Sequence, residues 1–298
     1  DMKTIRSLFN REDTAGIMFT LPFTLGFLFF MIVPMGISLY YSFCKYNILS
    51  PPVFTGLDNF KNMIADGTFL QTIKVTFFFA FVSVPLKLIF ALLVAMLLLK
   101  NTKMSGIYRA AYYLPSIIGG SVAVAILWKR MFAMDGVVNK LLGSIGIKTS
   151  ISWLGDTKTA IWILILLAVW QFGSSMLIFL SSLKQIPTSL YEAASIDGAN
   201  GWHSFWRITL PLLTPTIFFV MITSIISGFQ VFDVIYMMIG KTNPAYANTQ
   251  TVVMLFYRQA FDYGYKGYAA AISILIFAVI MLVTVIQMIG QKKWVNYD

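Results

Sequence analysis

Six apolar runs, each about as long as a bilayer is thick, dominate this chain: 17–41, 75–99, 110–128, 160–183, 215–238 and 268–289. A helix rises 1.5 Å per residue, so the roughly 30 Å hydrocarbon core needs about 20 residues. An unpaired backbone amide or carbonyl is costly there, so only helices or a closed barrel can cross. Barrel strands alternate apolar and polar side chains, and these runs do not. The expected fold is therefore an all-α integral membrane protein, a six-helix bundle forming one transmembrane domain over 1–298. The first run reads as a spanning helix and not as a cleaved leader, since it lacks a short apolar region with a small-residue cleavage site.

Composition supports this reading. Only 11% of residues are charged, against about 25% in a typical soluble protein. The net charge of +10 raises the question of nucleic acid, but the basic residues are scattered through short loops with no stripe to follow a phosphate backbone. Nucleic acid is excluded as a partner, and the anionic headgroups of a lipid bilayer account for the excess. Lysine and arginine divide almost evenly between the two sides of a six-span chain, so charge does not orient it. The single cysteine, Cys44, and the single histidine, His203, leave no disulfide within the chain and no Cys- or His-based metal site. Pro34, Pro85, Pro115 and Gly119-Gly120 lie inside the runs, and such residues allow close packing between spans.

Catalytic machinery is not expected. Gly240-Lys241-Thr242 imitates the end of a phosphate-binding loop, but Ile235 stands where that motif begins with glycine. There is no Gly-x-Ser-x-Gly, and one histidine outside any such context does not make a triad.

The polar interruption at 184–214 is the most informative loop. Ser189 and Glu192 have the spacing of a capping box, Ala193 and Ala194 follow, and Gly198 after Asp197 is placed to end the helix in a left-handed turn. Trp202, Phe205 and Trp206 then form an aromatic stripe suited to the membrane interface. By themselves these features describe a capped interfacial helix.

Polar residues inside the spans are the candidates for a solute path, because they are costly in lipid. Gln171, Ser174 and Ser175 are spaced i, i+3, i+4 in the fourth run, and Ser224, Ser227 and Gly228 repeat that spacing in the fifth. With Trp170, Phe172 and Phe229 beside them, they offer hydrogen bonds and ring faces, the two contacts a sugar needs. Hydrogen bonding between helices is the competing explanation. Lys87, in the middle of the second run, either pairs with a carboxylate, caps carbonyls, or faces water, where its charge would suit an acidic sugar.

Glu192-Ala193-Ala194, with Gly198, Ile208, Leu210 and Pro211 at their spacings, resembles the EAA loop of ABC importer permeases. The elements around Pro34, Phe232-Asp233-Val234-Ile235-Tyr236 and Gly267-Tyr268 are similar to the maltose and glycerol-phosphate branch of that family. Gly240-Lys241-Thr242-Asn243-Pro244 departs from the Gly-Gly-Pro turn of many relatives. The resemblance implies one of two homologous permease subunits of a bacterial carbohydrate importer. Two ATPase subunits would bind ATP and Mg²⁺, so the chain itself would carry no cofactor, and an extracytoplasmic solute-binding protein would deliver the sugar. Glu192, Ala193, Ala194, Asp197 and Gly198 would form the helix that couples to the ATPases. The loop and both termini would face the cytoplasm. The alternative, an ion-coupled secondary transporter, would call for inverted repeats, broken helices and carboxylates in the membrane.

Overall fold

The computed structural model describes residues 12–100, 103–147 and 149–296, with side chains from Gly16 onward. The chain ends, on which the expectation of cytoplasmic termini bears, lie outside the described residues. In order the elements are α1 (Glu12–Phe27), α2 (Val33–Ser42), β1 (Cys44–Asn47), β2 (Ser50–Phe54), α3 (Asp58–Ala65) and α4 (Gly67–Leu97). Then come α5 (Ser105–Ile118), α6 (Val122–Met131), α7 (Val137–Ser144), α8 (Ala160–Trp170), α9 (Gly173–Leu183), α10 (Thr188–Ile196) and α11 (Gly201–Ser204). The last are α12 (Leu210–Phe229), α13 (Asp233–Met238), α14 (Tyr246–Thr249), α15 (Val252–Tyr257) and α16 (Lys266–Gln291). Among the described residues the regular structure is helical apart from one two-stranded hairpin.

Among the described residues, four helices are long and apolar enough to cross a membrane: Gly16–Ser42, Gly67–Leu97, Gly201–Phe229 and Lys266–Gln291. Two bent pairs, α5 with α6 and α8 with α9, bring the number of candidate spans to six. The breaks correct the expected runs in three places. The run 110–128 is not one straight span, because α5 and α6 meet at 98°. Gly119 and Gly120 favour no helical continuation, and the Ser121 hydroxyl accepts the Val124 N–H as a fresh N-cap. The run 160–183 bends by 41° at residues 171–172. The run 215–238 is helical only to Phe229, starting earlier than expected; 230–232 leave the helix and α13 begins anew.

The chain divides into two compact units, one formed by the residues up to Ala65 with Phe256–Leu275, the other by Asp66–Leu255 with the residues from Ile276. In the first, α1 and α2 run on through a π-helical turn at Leu28–Ile32, where Val33 N–H bonds Leu28 O. Pro34, without an N–H, follows that turn. Ser42 ends α2 just before the hairpin, and Asn59 Nδ2 ties the two together by donating to Ser42 O and to Cys44 O, both at 2.9 Å.

The second unit is built around α4. It packs on α8, α9 and α12, and its contact face is small: Ala80, Ala91 and Ala95 are fully buried. Lipid is as apolar as leucine, so helix association there depends on close van der Waals fit, which small residues permit. Met176, Phe179 and Leu213 fill one end around Ala91 and Ala95. Phe229 and Ile225 pack on Ala80 and Val84, while Leu164, Leu167, Ile235 and Met238 pack with Phe79.

Candidate functional site: a loop helix and a cavity between the spans

Helix α10 starts two residues earlier than a capping box at Ser189 requires. Thr188 is its first residue, Pro187 stands at the N-cap with φ −62° and ψ 130°, and no side chain caps it. Ser189 is already helical, so it cannot be the cap, and Glu192 has no reciprocal partner to reach. The proline suits the start: its fixed φ fits the boundary, it has no N–H of its own to leave unpaired, and its carbonyl accepts from Leu190 N–H at 3.2 Å.

The other end closes as expected. Gly198 takes φ +78°, its N–H bonds Ser195 O at 3.1 Å, and Ala199 N–H bonds Ala194 O at 2.8 Å. This is a Schellman closure, which satisfies two carbonyls that would otherwise end the helix unpaired. Asn200 Oδ1 then accepts from His203 N–H at 2.9 Å and begins α11. Glu192, Ala193, Asp197 and Gly198 are exposed and Ala194 is half-buried. Trp202 and Trp206 are exposed as well. The loop is tied back by Tyr191, whose hydroxyl lies 2.9 Å from Thr209 Oγ1. Eighteen residues separate that pair, and no local pattern in the sequence links them.

The second feature is a cavity of about 170 Å³ in the second unit, walled by α4, α8 and α12 and by the residues following α12. It brings together Gln171, Ser224, Ser227, Gly228 and Lys87, with Ser83 as a further polar wall residue. Apolar surface comes from Phe79, Val84, Leu164, Leu167 and Ile235. Ser174 and Ser175 do not line it. The bend at 171–172 takes them off the face that Gln171 occupies, so the expected shared face is not met: Ser174 N–H bonds Ser116 Oγ at 3.0 Å and Ser175 is buried.

The expected ring faces also lie elsewhere. Phe229 is fully buried, edge-on to Phe77 at 4.9 Å between centroids. Trp170 packs on Trp128, Phe172 on Tyr112, and the ring at the cavity is Phe79. Ser83 and Phe79 were missed, although they lie four and eight residues before Lys87 on one face of α4, a spacing that could have pointed to them. Ser227 Oγ donates to Thr223 O at 2.9 Å within its own helix, and Gln171 Nε2 makes a long 3.4 Å bond to Leu167 O. Gly228 lets α4 and α12 approach: a Cβ there would lie 3.2 Å from Ala80 Cβ. The arrangement is a small chamber with neutral polar groups, one cation and one ring. Among the described residues no group of three or more His, Cys, Asp or Glu is placed to hold a metal ion.

The comparisons with known proteins agree with this architecture. Over 298 residues the chain is 45% identical to the probable ABC transporter permease protein YesP of Bacillus subtilis, covering 100% of this chain and 96% of that one. It is 33% identical over 291 residues to the arabinooligosaccharides transport system permease protein AraP of Bacillus subtilis, covering 95% and 90% of the two chains. In fold it matches a bacterial ABC transporter involved in import of the acidic polysaccharide alginate, with a TM-score of 0.84 at 23% identity over 98% of this chain and 100% of that one. The same fold appears in the alginate ABC transporter solved with an alginate pentasaccharide-bound periplasmic protein, with a TM-score of 0.82 at 24% identity over 94% and 95%. Residues 62–294 match the family described as "Binding-protein-dependent transport system inner membrane component"; this multi-pass membrane chain belongs to that family, as an ABC importer permease.

Proposed function

We propose that the chain carries an oligosaccharide through a bacterial inner membrane, as one of two homologous permease subunits served by two ATPase subunits and an extracytoplasmic solute-binding protein. The cavity carries this reading: Gln171, Ser224 and Ser227 beside the Phe79 ring offer hydrogen bonds and a stacking face in one chamber, which is the contact set a sugar needs. Relatives whose names specify arabinooligosaccharides and trehalose or maltose support a sugar as the cargo. Lys87 in the same wall would favour an acidic one. On the other side of the argument stands α10, a short exposed helix closed by Gly198, which suits a groove in an ATPase. In this reading 184–214 and both termini face the cytoplasm, and Glu192, Ala193, Ala194, Asp197 and Gly198 transmit ATPase closure to the spans. The chain itself catalyses no reaction and binds no cofactor; ATP and Mg²⁺ belong to the ATPases.

The test is uptake by the whole importer in ATP-loaded proteoliposomes, using arabinotriose, maltotriose and an alginate trisaccharide. Gln171→Leu and Ser224→Leu each remove hydrogen-bonding capacity worth about 1 kcal/mol, and both are expected to depress uptake of the transported sugar with the complex still assembled. Normal uptake in both variants would return these residues to helix packing. Collapse of proton and sodium gradients is expected to leave ATP-driven uptake intact; its loss would favour an ion-coupled carrier. A fall confined to the alginate probe in Lys87→Gln would assign the lysine to an acidic cargo.

A further inference from the structure

We infer that Ser116 and Gly119, on the broken third span, are positioning residues for Gln171 on the broken fourth. The inference rests on the pathway reading above, since Gln171 matters here as a cavity wall. Where α8 stops and α9 starts, backbone groups lose their helical partners, and within a bilayer they must find others. Ser116, near the end of α5, supplies both kinds. Its hydroxyl donates to Gln171 O at 3.0 Å and accepts the Ser174 N–H at 3.0 Å. A single hydroxyl, acting as donor and acceptor, thus bridges the whole break from another span.

The two kinks also interlock sterically. At Gly119, where α5 ends, a Cβ would lie 2.3 Å from Gln171 Cδ and 2.5 Å from its Cγ. The Gln171 side chain therefore occupies the space that any other residue at 119 would fill. At Gly173, on the opposite side, a Cβ would meet Tyr112 O at 2.3 Å and Ser116 Oγ at 2.9 Å. Glycine on both sides lets the two backbones touch. Gln171 itself is not helical, with ψ 34°, and its side-chain anchor on the preceding helix is the long bond to Leu167 O. Its carboxamide is aimed from outside its helix: the hydroxyl of Ser116 fixes the backbone and the bare face of Gly119 receives the stem. A change in the α5 kink would accordingly move a wall of the cavity.

The experiment needs no knowledge of the cargo. Gln171→Cys and Ser227→Cys serve as separate reporters in the assembled importer in native membranes, labelled with a small charged methanethiosulfonate. The buried Cys44 gives the background. Adding Ser116→Ala removes both bonds across the break and is expected to change the labelling rate at 171 about fivefold or more, the factor that the loss of even one of them implies. The rate at 227, in the same cavity but on another helix, is expected to stay at its parent value. Ser116→Thr, which keeps the hydroxyl, is expected to restore the rate at 171. Unchanged labelling at 171 in Ser116→Ala overturns the inference. So does an equal change at 171 and 227, which makes Ser116 a general packing residue. If neither reporter labels without the Ser116 change, the cavity is closed to water; the pathway reading then falls, and the positioning role with it.

Discussion

Gly198→Val isolates what the end of α10 requires. A Cβ at Gly198 meets nothing within 4 Å, so the substitution causes no clash and its whole cost is conformational. With φ at +78°, an L-residue is disfavoured by about 1–2 kcal/mol, and a β-branched residue there is a genuine outlier. The chain can escape that cost by giving up the turn, with loss of the 2.8 Å bond from Ala199 N–H to Ala194 O and the 3.1 Å bond from Gly198 N–H to Ser195 O. A penalty of that size lowers the population of the closed helix end by a factor of about 5–30. Uptake by the reconstituted importer and co-purification of the ATPases are therefore both expected to fall in Gly198→Val. Gly198→Asn is expected to remain near the parent, because Asn visits the left-handed region readily. Val behaving like the parent would remove the coupling role proposed for this turn. Asn proving as harmful as Val would mean that bulk against a partner, and not backbone φ, governs the position.

Three further outcomes follow from the geometry. Ser189→Ala, outside the cap position, is expected to change stability by less than about 0.5 kcal/mol and leave uptake intact; a loss near 1 kcal/mol would restore the capping box. Glu192→Gln is expected to lower uptake while the helix persists, since the carboxylate no longer has a capping duty to explain its presence; parental uptake would leave Glu192 a surface residue. Gly173→Ala is expected to prevent accumulation of the complex, because its Cβ would sit 2.3 Å from a backbone oxygen of Tyr112. Gly228→Ala, whose Cβ would lie 3.2 Å from Ala80 Cβ and 3.3 Å from Ala80 Cα, meets a much milder approach and is expected to assemble; equal damage from the two would contradict this ranking.

Why some of these features can be read in the sequence and others cannot comes down to the range of the forces involved. The apolar runs announce membrane helices because the bilayer acts on every residue alike, so local composition suffices. Gly198 is equally legible, because a helix that ends in a left-handed turn needs a residue without Cβ. The start of α10 was misread because two local signals compete there, and Pro187 outranks Ser189 by fixing the boundary two residues earlier. Periodicity failed at Gln171, Ser174 and Ser175 for another reason. It assumes an unbroken helix, and the break between them is held by Ser116, more than fifty residues away in the chain.

By itself, then, the sequence determined that the chain crosses the membrane in apolar helices and carries a glycine-closed helix between two of them. It also nominated polar residues in the fourth and fifth runs. The tertiary structure alone decided which of them share a chamber. Gln171, Ser224, Ser227 and Lys87 meet only because the small faces of α4 let α8 and α12 close on it. Phe79 and Ser83 join them from the same face of α4 as Lys87. A side chain's cost in lipid is set by its own chemistry and can be read one residue at a time. Whether it meets a cavity, a neighbour or lipid depends on packing between segments far apart in the chain, and no local pattern encodes that.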